Sequence, residues 1–564
     1  MQVYTALIIL LVYRQPQHPQ RHKWIQHAHR LLETNSDSLY SLHLSINLLI
    51  FSMWFENSTA SSRIAKIISQ MAAYHSLPPL SFMLARALTA AYHWSSGDAI
   101  SCFRDVDEGL QSAQTHGIVL LEFLLSAQGV YGGLINGNLD IAEVYLKRME
   151  AIPMGKRYLD IGHYRVLIGL LALQRDDMVM AIENFEIALA FTLQAGTPFP
   201  EGWTRATLAL ALSQAGQHAL AQEQLLKAQE IATTISSQIM KYMCLLANAY
   251  IDLEHNRQQS GLDFLRRAFA LDRESGGLII GYWGPKVMTH LYAAAISADI
   301  ETAHVQNLIR SMHLAQFAPD NASAQWPWPV KVDTLGEFKV YIDGEALHFS
   351  GKVQHKPLEL LMALIAFGGC NVPQTQIIDA LWPDAEGDAG YRALITAIHR
   401  LRKLLNCQQA IVFSDGTLSI DQHYVQVDVQ HFGLHRNTLI VLTEQECALF
   451  LHCYKGSFLA EIEASWVLKT RARLRDYYQI ALRQTGETLE YQGKLQDATA
   501  LYLNATHVEP GLEILHQHLI RVYLAQQRNV EALEAFGNCK CLLASLQNRN
   551  PSRETEALVA AVSS

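Results

Sequence analysis

The chain has 564 residues, half of them hydrophobic and 17% charged, which excludes long disorder and supplies material for several cores. Its formal net charge of −9 excludes a general attraction to polyanions, so any nucleic-acid site must be a local concentration of positive charge. Eight scattered cysteines, of which only Cys539 and Cys541 lie close together and on diverging faces of a helical pattern, exclude a disulfide framework and a CxxC metal knuckle; the expected compartment is reducing and cytoplasmic.

The first residues read as helix without a polar lead-in, as an abbreviated version of a longer chain would. The apolar run at 5–12 is too short for a membrane span and lacks a basic segment before it, so neither a membrane segment nor a targeting signal is expected. Polar turns followed by alanine then recur, in SGDA ending at Ala99, NGNLDIA at Ala142, RDDMVMA at Ala181 and AGQHALA at Ala221, spaced 43, 39 and 40 residues apart. A second series, Ala188, Ala228 and Ala268, repeats every 40. Small residues at fixed positions let paired helices approach, and the period falls between the ~34 of tetratricopeptide repeats and the ~40–47 of HEAT and armadillo repeats. Residues 1–322 are therefore expected to form a helical-repeat array with a concave surface. His18, His22, His27 and His29 lack acid or cysteine partners at ligand spacing and read as solvated helix, not as a metal site. Trp203 and Tyr250 fit a core better than a ligand groove. In pattern, this segment resembles the tetratricopeptide-like sensor region of MalT-type transcriptional regulators, which implies a protein or small-molecule effector.

Pro327 and Pro329 close a linker, after which the texture changes. VDTLGEFKVYIDGEALHF alternates apolar and polar residues around Asp343-Gly344, a β-hairpin. HKPLELLMALIAFGG predicts a helix with Leu358, Leu361, Met362 and Ile365 on one face and Gly368-Gly369 as its stop. A short helix is predicted from Pro373 to Trp382, with proline in its first turn. Next comes YRALITAIHRLRKLL, residues 391–405, with four strong bases and no acid. If Asp388 caps a helix running to Leu405, then Leu394, Ile398, Leu401 and Leu405 form its buried stripe, and Arg392, Thr396, His399 and Lys403 a displaced polar face flanked by Arg400. Residues 330–432 hold eight Lys plus Arg against twelve Asp plus Glu, and half of those bases sit in this one helix. Such an edge can engage phosphates without making the protein adhesive; taken alone it also suits a solvated amphipathic helix. IVFSDGTLSID predicts a second hairpin, around Asp415-Gly416.

This order of strands, three helices and a hairpin resembles the winged helix-turn-helix of OmpR-type regulators, especially the antibiotic regulatory protein (SARP) branch. The matching pieces are LGEFKVYIDG, KPLELLMALIAFGGCNV, IIDALWPD and AIHRLRKLL. The resemblance implies that residues 388–405 lie in the major groove of double-stranded DNA, with Arg392, Thr396 and His399 toward base edges and Arg400, Arg402 and Lys403 nearer phosphates. It further implies that backbone N–H groups from Gln374 and Thr375 to Gln376 meet a phosphate, and that the acidic loop bounded by Asp384 and Asp388 contacts RNA polymerase. SDGTLSI departs from the usual Gly-Tyr wing and carries no base for the minor groove.

Residues 440–560 return to helix, with Ala498 and Ala532 spaced 34 apart. Tyr454, Gly456, Phe458, Leu459, Trp466, Arg471, Arg473, Leu474, Glu509-Pro510 and PSRETEAL resemble the bacterial transcriptional activator domain that follows the winged helix in SARP-type regulators. LQNRN replaces the usual Leu-Gly-Ile before that ending. Lys469, Arg471, Arg473 and Arg475 read as a charged surface paired to nearby acids. No G-x-x-x-x-G-K-[ST], H-E-x-x-H or G-x-S-x-G occurs, so neither catalysis nor a cofactor is expected. The expected fold is mainly α: a repeat array, an α+β winged helix and a helical activator domain. The expected function is a DNA-binding transcriptional regulator controlled through its repeats, with a second copy of the chain, as a homodimer, among its candidate partners. Two alternatives stay open: an interaction scaffold whose winged helix has lost DNA, and the output half of an ATPase switch lacking its motor.

Overall fold

Helix starts in the amino-terminal half follow the repeat read from the sequence. The computed structural model describes residues 1–34, 39–74, 77–152, 155, 157–277, 281–319, 322–323, 325–348, 355–385, 388–430 and 443–560, which are mainly helical. They divide into two compact units, Met1–Pro327 and Trp328–Ser564.

In the first unit, five helices, Pro79–Ser95, Glu122–Ile135, Tyr158–Gln174, Pro198–Gln214 and Gln238–Glu254, each pair with the helix that follows: Ala99–His116, Leu139–Glu150, Met178–Ala195, His218–Thr234 and Gln258–Ser275. The second helices start 40, 39, 40 and 40 residues apart. Asp98, Asn138 and Asp177 cap three of them, accepting from Ser101, Ile141 and Met180 amides at 2.9, 3.1 and 3.0 Å. The fourth helical residue in each is small and buried: Cys102, Ala142, Ala181, Ala221 and Gly261. Ala99, by contrast, is the first residue of its helix, so the 43-residue spacing was a phase error of three and Cys102 holds the equivalent place. Ala188, Ala228 and Ala268 are fully buried. Small residues are required because backbones nearly touch; a Cβ on Gly133 would lie 2.7 Å from the Ala142 nitrogen. Met178–Ala195 is long and apolar enough by composition to cross a membrane, yet here it is the second helix of a pair, burying Ala181, Phe185 and Ala188.

The unit also contacts itself across long sequence distances. The helix Leu39–Phe55 reaches the later repeats, where the Trp54 ring stacks on Phe199 at 4.2 Å and the Trp54 carbonyl accepts from Ser237 Oγ at 2.6 Å. Arg21 donates to the Ile235 carbonyl at 2.8 Å. Tyr250 is buried, as expected of a core residue, whereas Trp203 lines an open cavity enclosed by this curvature. That is a correction: its first-helix position turns it toward the inner face.

In the second unit, β1 (Val330–Asp333), β2 (Lys339–Ile342), β3 (Glu345–Ala346), β4 (Val372–Pro373), β5 (Ile411–Ser414), β6 (Thr417–Ile420) and β7 (Val425–Val427) form two sheets, ordered β3-β2-β1-β7 and β4-β6-β5. Both expected hairpins are present. Their turns place Asp343-Gly344 and Asp415-Gly416 at positive φ, the geometry that suits two-residue connections. Strand β7, parallel to β1 in the register Val330↔Val425, was not anticipated. The helix His355–Ala366 buries Leu358, Leu361, Met362 and Ile365, but also Leu360, Ala363 and Leu364. Its second side is covered by the helix Ser465–Tyr491, whose Thr470 hydroxyl donates to the Ala366 carbonyl at 2.7 Å. One core thus runs from Val330 and Leu361 to Leu474, Tyr478 and Leu515, joining two blocks that the sequence separated at 432 and 440. Residues 431–442 lie outside the described residues.

Polar locks reinforce this joint. Asp428, just after β7, accepts from the Thr334 amide (2.6 Å), the Thr334 hydroxyl (2.6 Å) and the Leu335 amide (2.8 Å). This fixes the Thr334 and Leu335 backbone, which bonds Leu459 and bridges to Phe458. Buried Glu509 accepts from Tyr454 (2.6 Å) and Ser457 (2.9 Å) and pairs with Arg475 at 3.3 Å. Arg471 spans the carbonyls of Phe458, Leu459 and Ile462, so its partners are backbone and not the expected acids. At the far end, Asn548 of LQNRN supplies a left-handed helix cap, and Glu513 holds Arg549 (2.5 Å), the Ser552 amide (2.6 Å) and Thr555 (2.5 Å).

Burial pushes the Asp428 carboxyl up to about 6 despite its three donors. A folded-state value above the ordinary ~3.9 means the neutral form is favoured on folding, by roughly 3 kcal/mol. That contribution is complete below the ordinary value and is lost as pH rises through about 6. Asp428→Asn, whose one oxygen can still accept from the Thr334 and Leu335 amides while its NH2 donates to the Thr334 hydroxyl oxygen, removes the buried charge and should melt near the wild type at pH 7.5, while Asp428→Ala, stranding buried amides, should lose about 3 kcal/mol or more in urea unfolding at the same pH.

Candidate nucleic-acid interface

The basic helix spans Asp388–Leu404 and packs Gly390, Leu394, Ala397, Ile398 and Leu401 inward. Leu405 follows, fully buried. Asp388 is its first helical residue and not the cap the sequence suggested. Glycine at 390 lets the helix cross Gln374–Leu381 closely, since a Cβ there would meet Ile378 Cγ2 at 2.7 Å. In the crossed helix, Pro373 precedes the first helical residue and pairs in β4 instead of lying in the first turn.

At about 100° per residue, Arg392, Thr396, His399 and Lys403 fall within roughly 40° of one line, with Arg400 and Arg402 on opposite flanks about 80° away. Arg392, Thr396, His399, Arg400 and Lys403 are all exposed. Among the described residues no carboxylate lies within 4 Å of Arg392, Arg400 or Lys403. Thr396 donates back to the Arg392 carbonyl at 2.8 Å, leaving its oxygen able to accept.

Arg402 has a different role from the one expected. Its Nε and Nη2 both donate to the Ile411 carbonyl, at 3.0 and 2.7 Å, so it pins the end of the helix to β5. The opposite edge of the hairpin is tied too, because the Gln374 amide donates to the Gly416 carbonyl at 2.9 Å. The Gln374 N–H is therefore not free for phosphate. Thr375 and Gln376 are exposed at the start of that helix. Lys356 is also occupied, bonding Glu359 at 2.7 Å and the Leu381 carbonyl at 3.2 Å. Of the acidic loop, Asp384 and Ala385 are described, whereas Glu386 and Gly387 lie outside the described residues.

Sequence reasoning missed the Arg402 anchor. Its signal was there in the helical phase, which sets Arg402 about 80° off the exposed line and toward the hairpin. Among the described residues no group of three or more His, Cys, Asp or Glu is arranged to hold a metal ion.

Replacing Arg402 by Lys removes the two-donor clamp on Ile411. The expected result is faster amide exchange in residues 411–420, with local stability down by about 1–2 kcal/mol and little change in the helices. Unchanged exchange there would show that the clamp carries no weight.

Residues 442–563 match the family "Bacterial transcriptional activator domain". No curated protein matches the chain. Among solved structures it is similar to Mycobacterium tuberculosis EmbR in complex with a low-affinity phosphopeptide, at 18% identity and a TM-score of 0.31, over 42% of this chain and 65% of that one. It is also similar to a Rap protein complexed with competence and sporulation factor (11% identity, TM-score 0.40, 56% and 88% covered) and to human IFIT1 with m7Gppp-AAAA (12%, 0.27, 96% and 100%). The chain spans about two thirds of EmbR. The helical block at residues 442–563 is thus the part of the chain that matches a bacterial transcriptional activator domain.

Proposed function

We propose that this protein is a sequence-specific DNA-binding regulator that activates transcription, non-catalytic and cytoplasmic, with its helical repeats sensing an effector. The observation carrying this reading is the exposed cationic face of the helix Asp388–Leu404, free of carboxylate partners among the described residues, held by a hairpin and sharing one core with the block at 442–563. Arg392, Thr396 and His399 meet base edges in the major groove. Arg400 and Lys403 neutralise phosphates on either strand, and Thr375 and Gln376 offer backbone N–H groups to a third. Arg402 acts through the hairpin. The acidic loop bounded by Asp384 and Asp388 is the proposed contact for RNA polymerase.

A face of this kind predicts binding dominated by counterion release. Genome-wide footprinting with the full chain should select a duplex site, and affinity for it should fall steeply with salt. Arg400→Ala combined with Lys403→Ala should weaken binding about 10-fold or more and flatten the log–log salt slope by about 2. Equal binding by the double variant would instead favour a protein-interaction scaffold.

A further inference from the structure

Resting on the reading of the repeats as a sensor, we infer that the cavity inside the amino-terminal unit binds a neutral, ring-bearing amphiphile with a hydrogen-bond donor. The cavity is about 1240 Å³, above the ~300–1,000 Å³ of usual small-molecule sites. The first helices of all five repeat pairs line it, and Trp54 closes it from the amino-terminal side. Its floor is a run of rings: Trp94 on Tyr131 at 4.4 Å, Tyr131 on Trp203 at 5.9 Å, and Trp203 tilted against Tyr282 at 5.3 Å. Such surfaces favour flat or cyclic apolar faces.

Charge and hydrogen bonding narrow the class. The charged lining comprises Glu56, Asp160, Arg63 and Arg157, two acids against two bases, so no net field selects an anion. Asp160 is paired with Arg157 at 2.9 Å. His163 lies at 3.1 Å from the Tyr131 hydroxyl, and burial pushes it down to about 4, which leaves it neutral. The side-chain amides that could read a peptide backbone are partly committed already. Gln128 accepts from Trp94 Nε1 at 2.7 Å and donates to the Leu124 carbonyl at 3.1 Å, and Asn57 Oδ1 accepts from the Ala60 amide at 3.0 Å. Ser95 and Thr204 likewise bond back to their own helices. Two groups differ: Glu56 Oε2 is buried and accepts no hydrogen bond, with His29 Nε2 4.0 Å away, an open acceptor for a ligand hydroxyl, and Trp203 Nε1 is a buried donor without a hydrogen-bond partner. Extended peptides, which need partners along their length, fit this lining poorly.

The test uses the full-length protein and the neutral dye Nile red. Saturable one-to-one binding with blue-shifted emission is expected, weakened 10-fold or more by Ser95→Trp, which fills the cavity from a partly exposed position, and by Trp203→Ala. 2-Naphthol should displace the dye better than 2-methoxynaphthalene, and Glu56→Leu should abolish that preference. Binding of the dye undiminished in a folded Ser95→Trp protein, or its displacement by an apolar octapeptide and not by the naphthalenes, would overturn the assignment. Duplex binding is measured separately on the same variants, so loss of DNA recognition and loss of the ligand site are distinguishable.

Discussion

The carboxy-terminal unit depends on a helix that has no side for water. His355–Ala366 carries HKPLELLMALIA, and from Pro357 onward only Glu359 escapes full burial. Without a cover from beyond residue 430, one side of that apolar surface would be exposed, at a cost of about 25 cal/mol per Å². Covering it with the helix Ser465–Tyr491 makes the basic helix Asp388–Leu404 and the block at 442–563 parts of one core, so the orientation of one fixes that of the other. Asp428 and Glu509 add direction to this burial, since each accepts several hydrogen bonds at the joint and a slipped arrangement would strand them.

The same frugality governs the cations. Lys356, Arg402, Arg471 and Arg475 are committed to carbonyls or carboxylates within the unit, whereas Arg400 and Lys403 are exposed and Arg392, also exposed, donates from Nε to the Asp388 carbonyl at 3.3 Å. Internal partners thus hold several bases of this acidic chain, while the basic helix keeps Arg400 and Lys403 exposed with no carboxylate within 4 Å among the described residues.

Repeat length, both Asp-Gly turns and the buried stripe of the basic helix were legible because each is set by neighbours within a few residues. Phase was harder. Ala99 and Ala142 look alike in sequence, yet only the capping residue Asp98 reveals that Cys102 shares the place of Ala142. Strand β7 is three residues, Val-Gln-Val, paired in parallel to a strand 95 residues earlier, and no local pattern announces it. The buried second side of His355–Ala366 was visible as excess hydrophobicity, but what covered it lay a hundred residues onward. Trp203 was misassigned for a related reason, because helical periodicity distinguishes inward from outward and not filled from hollow.

Helical-repeat proteins are usually quasi-one-dimensional, each unit leaning only on the next, so that they can fray from an end. Here Trp54 against Phe199, and Arg21 and Trp54 against Ile235 and Ser237, tie the beginning of the array to its later repeats. Such a staple turns a stack into a loop of mutually dependent parts. Neither end can then loosen without costing the other its partners, and the closing contacts must wait until more than two hundred residues have been made.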